Sequence, residues 1–435
     1  MLIEPQILKG FRDFLPEKAL ERKRLIHILE DAFESFGFLP IDTPVLEYKK
    51  VLLGKGGGET DKQIYEFTDK GKREVAMRFD LTVPFARFMA AHYNELYLPF
   101  KRYHIDKVWR GENTQRGRYR EFVQCDFDIV GIDSSSADFE ILLLMYTSFT
   151  KLGIEGVTIK LAHRGIFNRF LENLNIKEHS VEIMRSVDKI SKIGEEAVLE
   201  ILSGIIDQET ALKILGYIKP ENTFLETLQK ITDFAGGSGE DVQRLEEIYT
   251  FFTSLGIENS FVLDPSITRG LDYYTGIVYE TFLDKLPGIG SVCSGGRYNN
   301  LASLYTKQNL PGVGSSIGLD RLMAALDELS DGNGKRHATD IIVTCMNVLD
   351  MKEYYRISGI FRDKGFTCEV YLSKKKLSAQ FSYAEKKGIP IALLIGEDEL
   401  SAGKFSVRDL SSRESFNMLS LDEAVVTCNK IIRKD

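Results

Sequence analysis

Two long strand-like runs, Phe100–Trp109 and Tyr119–Val130, flank a short polar loop in this 435-residue chain. Runs of this kind, so close together, pair as antiparallel neighbours. An antiparallel sheet is therefore the frame on which the rest of the chain must be placed. The second run is the more informative, because successive side chains of a strand point to opposite faces. Tyr119, Val123, Phe127 and Ile129 form a face that can pack. Arg120, Phe122, Gln124, Asp126 and Asp128 form the other. Charge and amide beside an aromatic ring suit the floor under a ligand that is part ring, part phosphate and part ammonium. The same row also fits a solvated face of an antiparallel sheet. Gln124 and Asp128 stand about 13 Å apart at ~3.3 Å per residue, so they would meet different parts of an extended ligand.

The loop between the runs tilts the reading towards a ligand. WRGENTQRGRYRE concentrates Arg110, Arg116, Arg118 and Arg120, and residues 101–121 hold 7 Lys/Arg against 3 Asp/Glu. The planar fork of arginine matches phosphate oxygens. Surface arginines on an exposed turn are the bland alternative. The whole chain carries 56 Lys+Arg and 64 Asp+Glu, a net charge of -8 that argues against a nucleic-acid partner if taken as an average. The average misleads, because binding depends on where the basic residues sit. Residues 171–260 alone carry 8 Lys/Arg and 17 Asp/Glu, whereas residues 338–435 carry 15 and 14. The acidity belongs to one middle segment, so any nucleic acid would meet that segment through few residues or through a locally basic edge.

Patterning organises the remainder. Residues 17–36 read as an amphipathic helix with Ile26, Leu29, Phe33 and Phe36 on one face. LPIDTPVLE follows as an extended segment and Lys55–Glu59 as a glycine-rich loop. Gln63–Thr68 and Glu74–Asp80 read as strands joined by an Asp69-Lys70-Gly71 turn, and Thr82–Tyr93 as a helix. Residues 165–255 have helical periodicity and form a mostly helical insertion. Strand signals return at Gly276–Phe282 and near Ser291, and glycine-rich Gly312–Gly318 leads into a helix at Asp320–Leu329. Ser330–Ala338 reads as a linker, and beyond it strands and helices alternate as β-α-β-α-β.

Cys125, Cys293, Cys345, Cys368 and Cys428 are far apart, with no C-x-x-C pair, which fits reduced thiols in a cytoplasmic protein. His27, His92, His104, His163, His179 and His337 show no ligand spacing, so no resident metal site is expected. The start, MLIEPQILKG, lacks a signal-peptide pattern, and no apolar run reaches the ~18 residues of a membrane span.

FKRYHIDKVWRGENTQRGRYREFVQCDFDIVG resembles motif 2 of class II aminoacyl-tRNA synthetases, in its histidyl-tRNA synthetase form. KGFRDFLP at 9–16 resembles that family's N-terminal signature, and FGFLPIDTPVLE at 36–47 its motif 1. RGLDYYTGIVYE at 269–280 and CSGGRYNNL at 293–301 resemble its histidine-specific motifs, and GVGSSIGLDRL at 312–322 its motif 3. The resemblance implies a multidomain α+β and α/β chain. Residues 1–330 would form an antiparallel-sheet catalytic core with a helical insertion at about 165–255, and residues 338–435 an α/β anticodon-binding domain. It implies activation of L-histidine with ATP and Mg²⁺ and transfer to tRNA(His) by a homodimer.

The residue roles that the resemblance implies fall on both sides of the polar strand. The segment containing Asp80, Leu81 and Thr82 would hold histidine, with Asp80, Thr82 and Gln124 on its α-ammonium group. Asp128 and Tyr274 would bracket its imidazole, with Tyr273 lining the same pocket. Asp80 and Asp128 stand where other members carry Glu. Arg110 would contact the α-phosphate, Glu112 the adenine end and Arg321 the γ-phosphate, and Phe122 would stack on adenine. The glycines before Arg321 would let the backbone approach closely. Arg269 would stabilise charge in the transition state, making Arg269 and Arg110 the catalytic pair. Arg116 and Gln115 would face the acceptor stem, and Lys374-Lys375-Lys376 would meet RNA phosphates. A different class, the catalytically silent histidine-sensing regulatory subunit of ATP phosphoribosyltransferase, shares this fold. It usually lacks the anticodon-binding domain and part of the motif set.

Overall fold

A computed structural model describes residues 2–54, 63–268, 273–329 and 339–432. The expected glycine-rich loop at Lys55–Glu59 and the expected linker at Ser330–Ala338 lie outside the described residues. The chain divides into two compact units, residues 1–13 with 22–331 and residues 14–21 with 332–435.

The larger unit is organised by an eight-stranded sheet. Its order is Leu39–Pro40, Phe100–Trp109, Glu121–Val130, Gly312–Gly318, Cys293–Arg297, Ile277–Leu283, Val157–His163 and Phe261–Leu263. Both edge pairings are parallel and every interior pairing is antiparallel. The two long runs pair from Phe100 opposite Val130 to Trp109 opposite Glu121, the second strand beginning at Glu121 rather than at Tyr119. Val123, Phe127 and Ile129 are buried on one face, where the Pro16–Ser35 helix sets Phe33 against Phe127 with ring centroids 4.8 Å apart. The apolar stripe read from residues 17–36 thus faces the back of the sheet and leaves its front free. A small sheet of Leu46–Tyr48, Glu74–Met77 and Glu66–Thr68 precedes the Thr82–His92 helix.

The insertion is a run of helices between Arg164 and Leu255. It leaves the sheet after Val157–His163 and returns at Phe261–Leu263, two parallel neighbours on the edge. Phe170 stacked on Tyr217 at 4.7 Å forms part of its own core, so an acidic surface surrounds an apolar interior. These two edge strands and the Ser135–Lys151 helix carry no expectation from the sequence. That helix begins where the Ser134 hydroxyl accepts from the Ala137 amide at 3.2 Å.

The smaller unit has a five-stranded sheet, ordered Cys368–Val370, Ile341–Val343, Ile391–Leu394, Phe405–Asp409 and Ser415–Leu419. Its first three strands are parallel, as the β-α-β-α-β pattern requires, and the last two add an antiparallel hairpin that the pattern did not contain. Lys374, Lys375 and Lys376 are exposed just before the Leu377–Lys387 helix.

Candidate functional site

The front of the large sheet carries a cavity of about 440 Å³. Several stretches of chain converge on it. Phe122 and Gln124 rise from the floor strand, Arg110, Glu112 and Arg118 come from the hairpin loop, and Arg321 comes from the helix that follows Gly312–Gly318. Asp80 and Thr82 enter at the start of the Thr82–His92 helix, and Tyr273 and Tyr274 line the cavity beside them, with Tyr273 packed against Phe79 and Val83.

Part of the cavity lining is polar, acidic at Asp80, and under-satisfied. Asp80 is buried, and its Oδ1 accepts from the Val83 amide at 3.1 Å while Oδ2 has no hydrogen-bond partner among the described residues. Burial pushes its carboxyl up to about 6, opposed by the Val83 amide and by Arg110 and Arg102. The Gln124 amide donates to the Ser316 hydroxyl at 2.9 Å, and its buried Oε1 has no partner among the described residues. Orphaned acceptors in a buried wall cost free energy until a donor arrives. A cationic donor such as an ammonium group matches them.

The same cavity also carries a cationic group of side chains. Arg110 donates through Nε to the Phe79 carbonyl at 2.9 Å, and its guanidinium carbon lies 5.1 Å from the Phe122 ring centroid. Arg321 donates to the Ser291 carbonyl at 2.5 Å, and burial together with Arg118 pulls its guanidinium down to about 10. Arg118 stands 3.6 Å from Glu112. Three guanidinium groups in one cleft suit a polyanion. Arg116 points elsewhere, pairing with Glu328 at 3.1 Å.

Two of the residues expected in a histidine pocket take positions that the sequence did not suggest. Leu81 is fully buried and does not reach the cavity wall. Asp128 lies further along the same strand face, outside the cavity lining, 2.7 Å from Arg102, and accepts from the Tyr298 hydroxyl at 2.5 Å. Arg102 is itself fully buried, 4.2 Å from the Phe85 ring centroid and 4.0 Å from Asp126. Burial raises both carboxyls, Asp126 to about 7, and Arg102 opposes the rise in each. Arg102, Asp128 and Gly314 are successive partners across three strands, a row that the register alone creates.

That row also explains two glycines of the GVGSSIG segment. A Cβ on Gly314 would overlap the Asp128 carboxylate and lie 2.9 Å from the Phe127 carbonyl. A Cβ on Gly312 would overlap the Tyr298 ring. These glycines clear room for the Tyr298–Asp128 contact rather than for a ligand, whereas Gly318 does line the cavity.

Arg269 lies outside the described residues, as do the neighbouring residues 270–272. Sequence reasoning missed Glu280 and Ser316 on the wall, and Arg102 and Tyr298 around Asp128 beside it. The cross-strand position of Arg102 opposite Asp128 was the one available signal for that pair. Among the described residues, Asp42, His104 and Asp106 bring ligand-type atoms within 4.8 Å of one another, and Arg78 pairs with Asp106 there. Burial, then Arg102 and Arg78, hold the His104 imidazole down at about 3.

An antiparallel floor, an arginine-bearing hairpin and a strand running into an arginine-bearing helix define the catalytic core of a class II aminoacyl-tRNA synthetase. Residues 10–322 match the family model described as histidyl-tRNA synthetase, and residues 340–431 match the anticodon binding domain. The chain belongs to the histidyl-tRNA synthetase family. It is 53% identical over 403 residues to a histidine–tRNA ligase of Treponema denticola, covering 91% of this chain and 90% of that relative. It is 46% identical over 422 residues to the Treponema pallidum protein of the same name, covering 95% of each. The crystal structure of histidyl-tRNA synthetase from Nostoc sp. PCC 7120 superposes with a TM-score of 0.88 at 33% identity over 100% of both chains. A structure titled as an ATP phosphoribosyltransferase regulatory subunit/histidyl-tRNA synthetase from Bacillus halodurans shares the fold, with a TM-score of 0.73 at 20% identity over 88% of this chain and 97% of that one.

Proposed function

We infer that this chain is a histidine–tRNA ligase. It joins L-histidine to ATP as histidyl-adenylate with release of pyrophosphate, then passes the histidyl group to the 3′ end of tRNA(His). One observation carries the reading beyond family membership: an under-satisfied acidic wall and a cluster of three arginines share one cavity on the sheet. The first fits the α-ammonium group of an amino acid and the second a triphosphate, which is the pairing that adenylation needs. The histidine-sensing alternative has no use for the arginine cluster.

In this assignment Asp80, Thr82 and Gln124 hold the ammonium group, with Leu81 packed behind them. Tyr273 and Tyr274 flank the imidazole, and Asp128, on the same strand face as Gln124 and paired with Tyr298, completes the pocket beside Tyr274. Phe122 stacks on adenine, with Glu112 beside it. Arg110 meets the α-phosphate and Arg321 the γ-phosphate. When the histidine carboxylate attacks the α-phosphorus, two anions converge, and Arg110 and Arg269 stabilise the charge that builds there. Glu112 and Glu280 offer hard carboxylate oxygens near Arg321, a donor set that fits Mg²⁺ accompanying the phosphates.

Residues 1–330 serve as the catalytic domain and 338–435 as the anticodon-binding domain, where exposed Lys374–Lys376 suit RNA phosphates. Arg116 and Gln115, on the hairpin, are assigned to the acceptor stem. Exposed Leu39, Val45, Leu46 and Tyr48 along the motif 1 segment support pairing of two copies. Five buried free thiols support a reducing, cytoplasmic setting. Among the described residues, no helix is long and apolar enough to cross a membrane.

The test is ATP–pyrophosphate exchange with each of the twenty amino acids. Exchange with histidine alone is expected. Histidine binding without exchange would favour the sensor. Arg269→Ala should bind histidine as before and lose single-turnover activation, and sedimentation should give a dimer.

A further inference from the structure

The N-terminal signature KGFRDFLP has no place in the chemistry above, yet Arg12 lies beside the cavity. Its guanidinium carbon is 3.2 Å from the centroid of the Tyr119 ring, and it pairs with Asp320. Both partners line the cavity. Asp320 is only 3% exposed, and its second carboxylate oxygen accepts from the Val123 amide at 2.7 Å. Arg12 therefore touches the hairpin through Tyr119, and touches the arginine-bearing helix through the residue immediately before Arg321.

Its neighbours hold the same hairpin. The Arg120 amide donates to the Gly10 carbonyl at 2.9 Å, and the Arg120 guanidinium donates to the Lys9 carbonyl at 3.5 Å. Gly10 has φ +89°, and a Cβ there would sit 2.7 Å from Arg120 Cγ, so the close approach requires glycine.

A brace is needed at this place. The hairpin and the helix bring Arg110, Arg118 and Arg321 to one cleft, and Gly117 packs so closely that a Cβ there would lie 3.2 Å from Arg321 Cγ. Burial and the two hairpin arginines depress the Arg321 guanidinium. Like charges so arranged repel one another, and Glu112, 3.6 Å from Arg118, offsets this in part.

We propose that Arg12 is a positioning residue for the ATP half of the site, tying the hairpin that carries Arg110 and Arg118 to the helix that carries Arg321. This rests on the reading that those arginines hold the triphosphate. Arg12 never touches substrate. It holds the spacing of the three guanidinium groups that do.

The experiment is pyrophosphate exchange with the full chain, varying ATP and histidine separately, for Arg12→Ala, Arg12→Lys and Arg321→Ala. Arg12→Ala should raise the KM for ATP roughly tenfold, while the KM for histidine stays within about twofold. Arg12→Lys keeps the charge, loses the planar stack and should recover part of the ATP affinity. It also supplies the measurement should Arg12→Ala not fold. An unchanged KM for ATP in a folded Arg12 variant, or equal rises for both substrates, would overturn the proposal. Arg321→Ala separates the two levels. If it raises the KM for ATP while the Arg12 variants do not, only the brace fails. If it leaves the KM for ATP unchanged, the triphosphate assignment fails and takes the brace with it.

Discussion

Replacing Arg102 with Met should make the stability of the large unit far more sensitive to pH. Arg102 is the buried counter-charge to Asp128 at 2.7 Å and lies 4.0 Å from Asp126. Without it, Asp128 keeps only the Tyr298 hydroxyl at 2.5 Å, which cannot balance a full charge. The carboxyl then escapes its penalty by taking a proton. Starting from a reference value of 3.8, that costs about 1.4 kcal/mol per pH unit above it. The cost is therefore about 2 kcal/mol near pH 5 and about 4 kcal/mol near pH 7, the latter matching the ~3–5 kcal/mol of a broken buried pair.

The sign follows from linkage. A carboxyl whose folded value is raised contributes stability at low pH, and that stability is lost as pH rises towards the folded value. Arg102 opposes the rise in Asp128 and so ends the loss early in the native protein. In Arg102→Met the loss runs on through neutrality. The gap between the two proteins should widen by up to about 3 kcal/mol from about pH 5 to about pH 7. At a slope of about 3 kcal/mol per molar urea, this is a midpoint shift on the order of 1 M. The single tryptophan, Trp109, is buried at the end of the strand carrying Arg102, so its fluorescence reports unfolding of this unit. Equal gaps at both pH values would refute the reasoning.

Three further outcomes follow from the same geometry. Gly314→Ala forces a methyl group into the Asp128 carboxylate and should cost about 1–3 kcal/mol by Trp109 fluorescence, with histidine affinity falling as Asp128 shifts; an unchanged midpoint would show that the row across the sheet relaxes freely. Asp80, raised by burial to about 6, must be ionised to hold an ammonium group, so histidine should bind more weakly as pH falls below that value. In Asp80→Asn only the titration of the ligand's own imidazole should remain, and calorimetric profiles that match the native protein would remove Asp80 from the pocket. Phe122→Ala should raise the KM for ATP roughly 5- to 150-fold by losing ~1–3 kcal/mol of base stacking, with the KM for histidine unchanged; a parallel rise in both would assign Phe122 to the fold instead.

The sequence by itself determined the local periodicities and what depends on them. The two long strands, the face that packs with Val123 and Phe127, the helix beginning at Pro16 and the helical insertion all follow from apolar spacing. The concentration of arginine in the hairpin was legible because it needs no partner to be seen. Strands Val157–His163 and the short edge strand Phe261–Leu263 were not legible, since they gain their identity from pairing with each other and, for the first, with Ile277–Leu283. Only the tertiary structure decided what the acidic residues of the floor do. Alternation placed Gln124 and Asp128 on one face, but Gln124 meets the cavity while Asp128 is claimed by Arg102 and Tyr298. Arg12 and Asp320, 308 positions apart, meet only in the folded chain. Electrostatic partners are chosen by distance in space, and a sequence carries distance only along the chain.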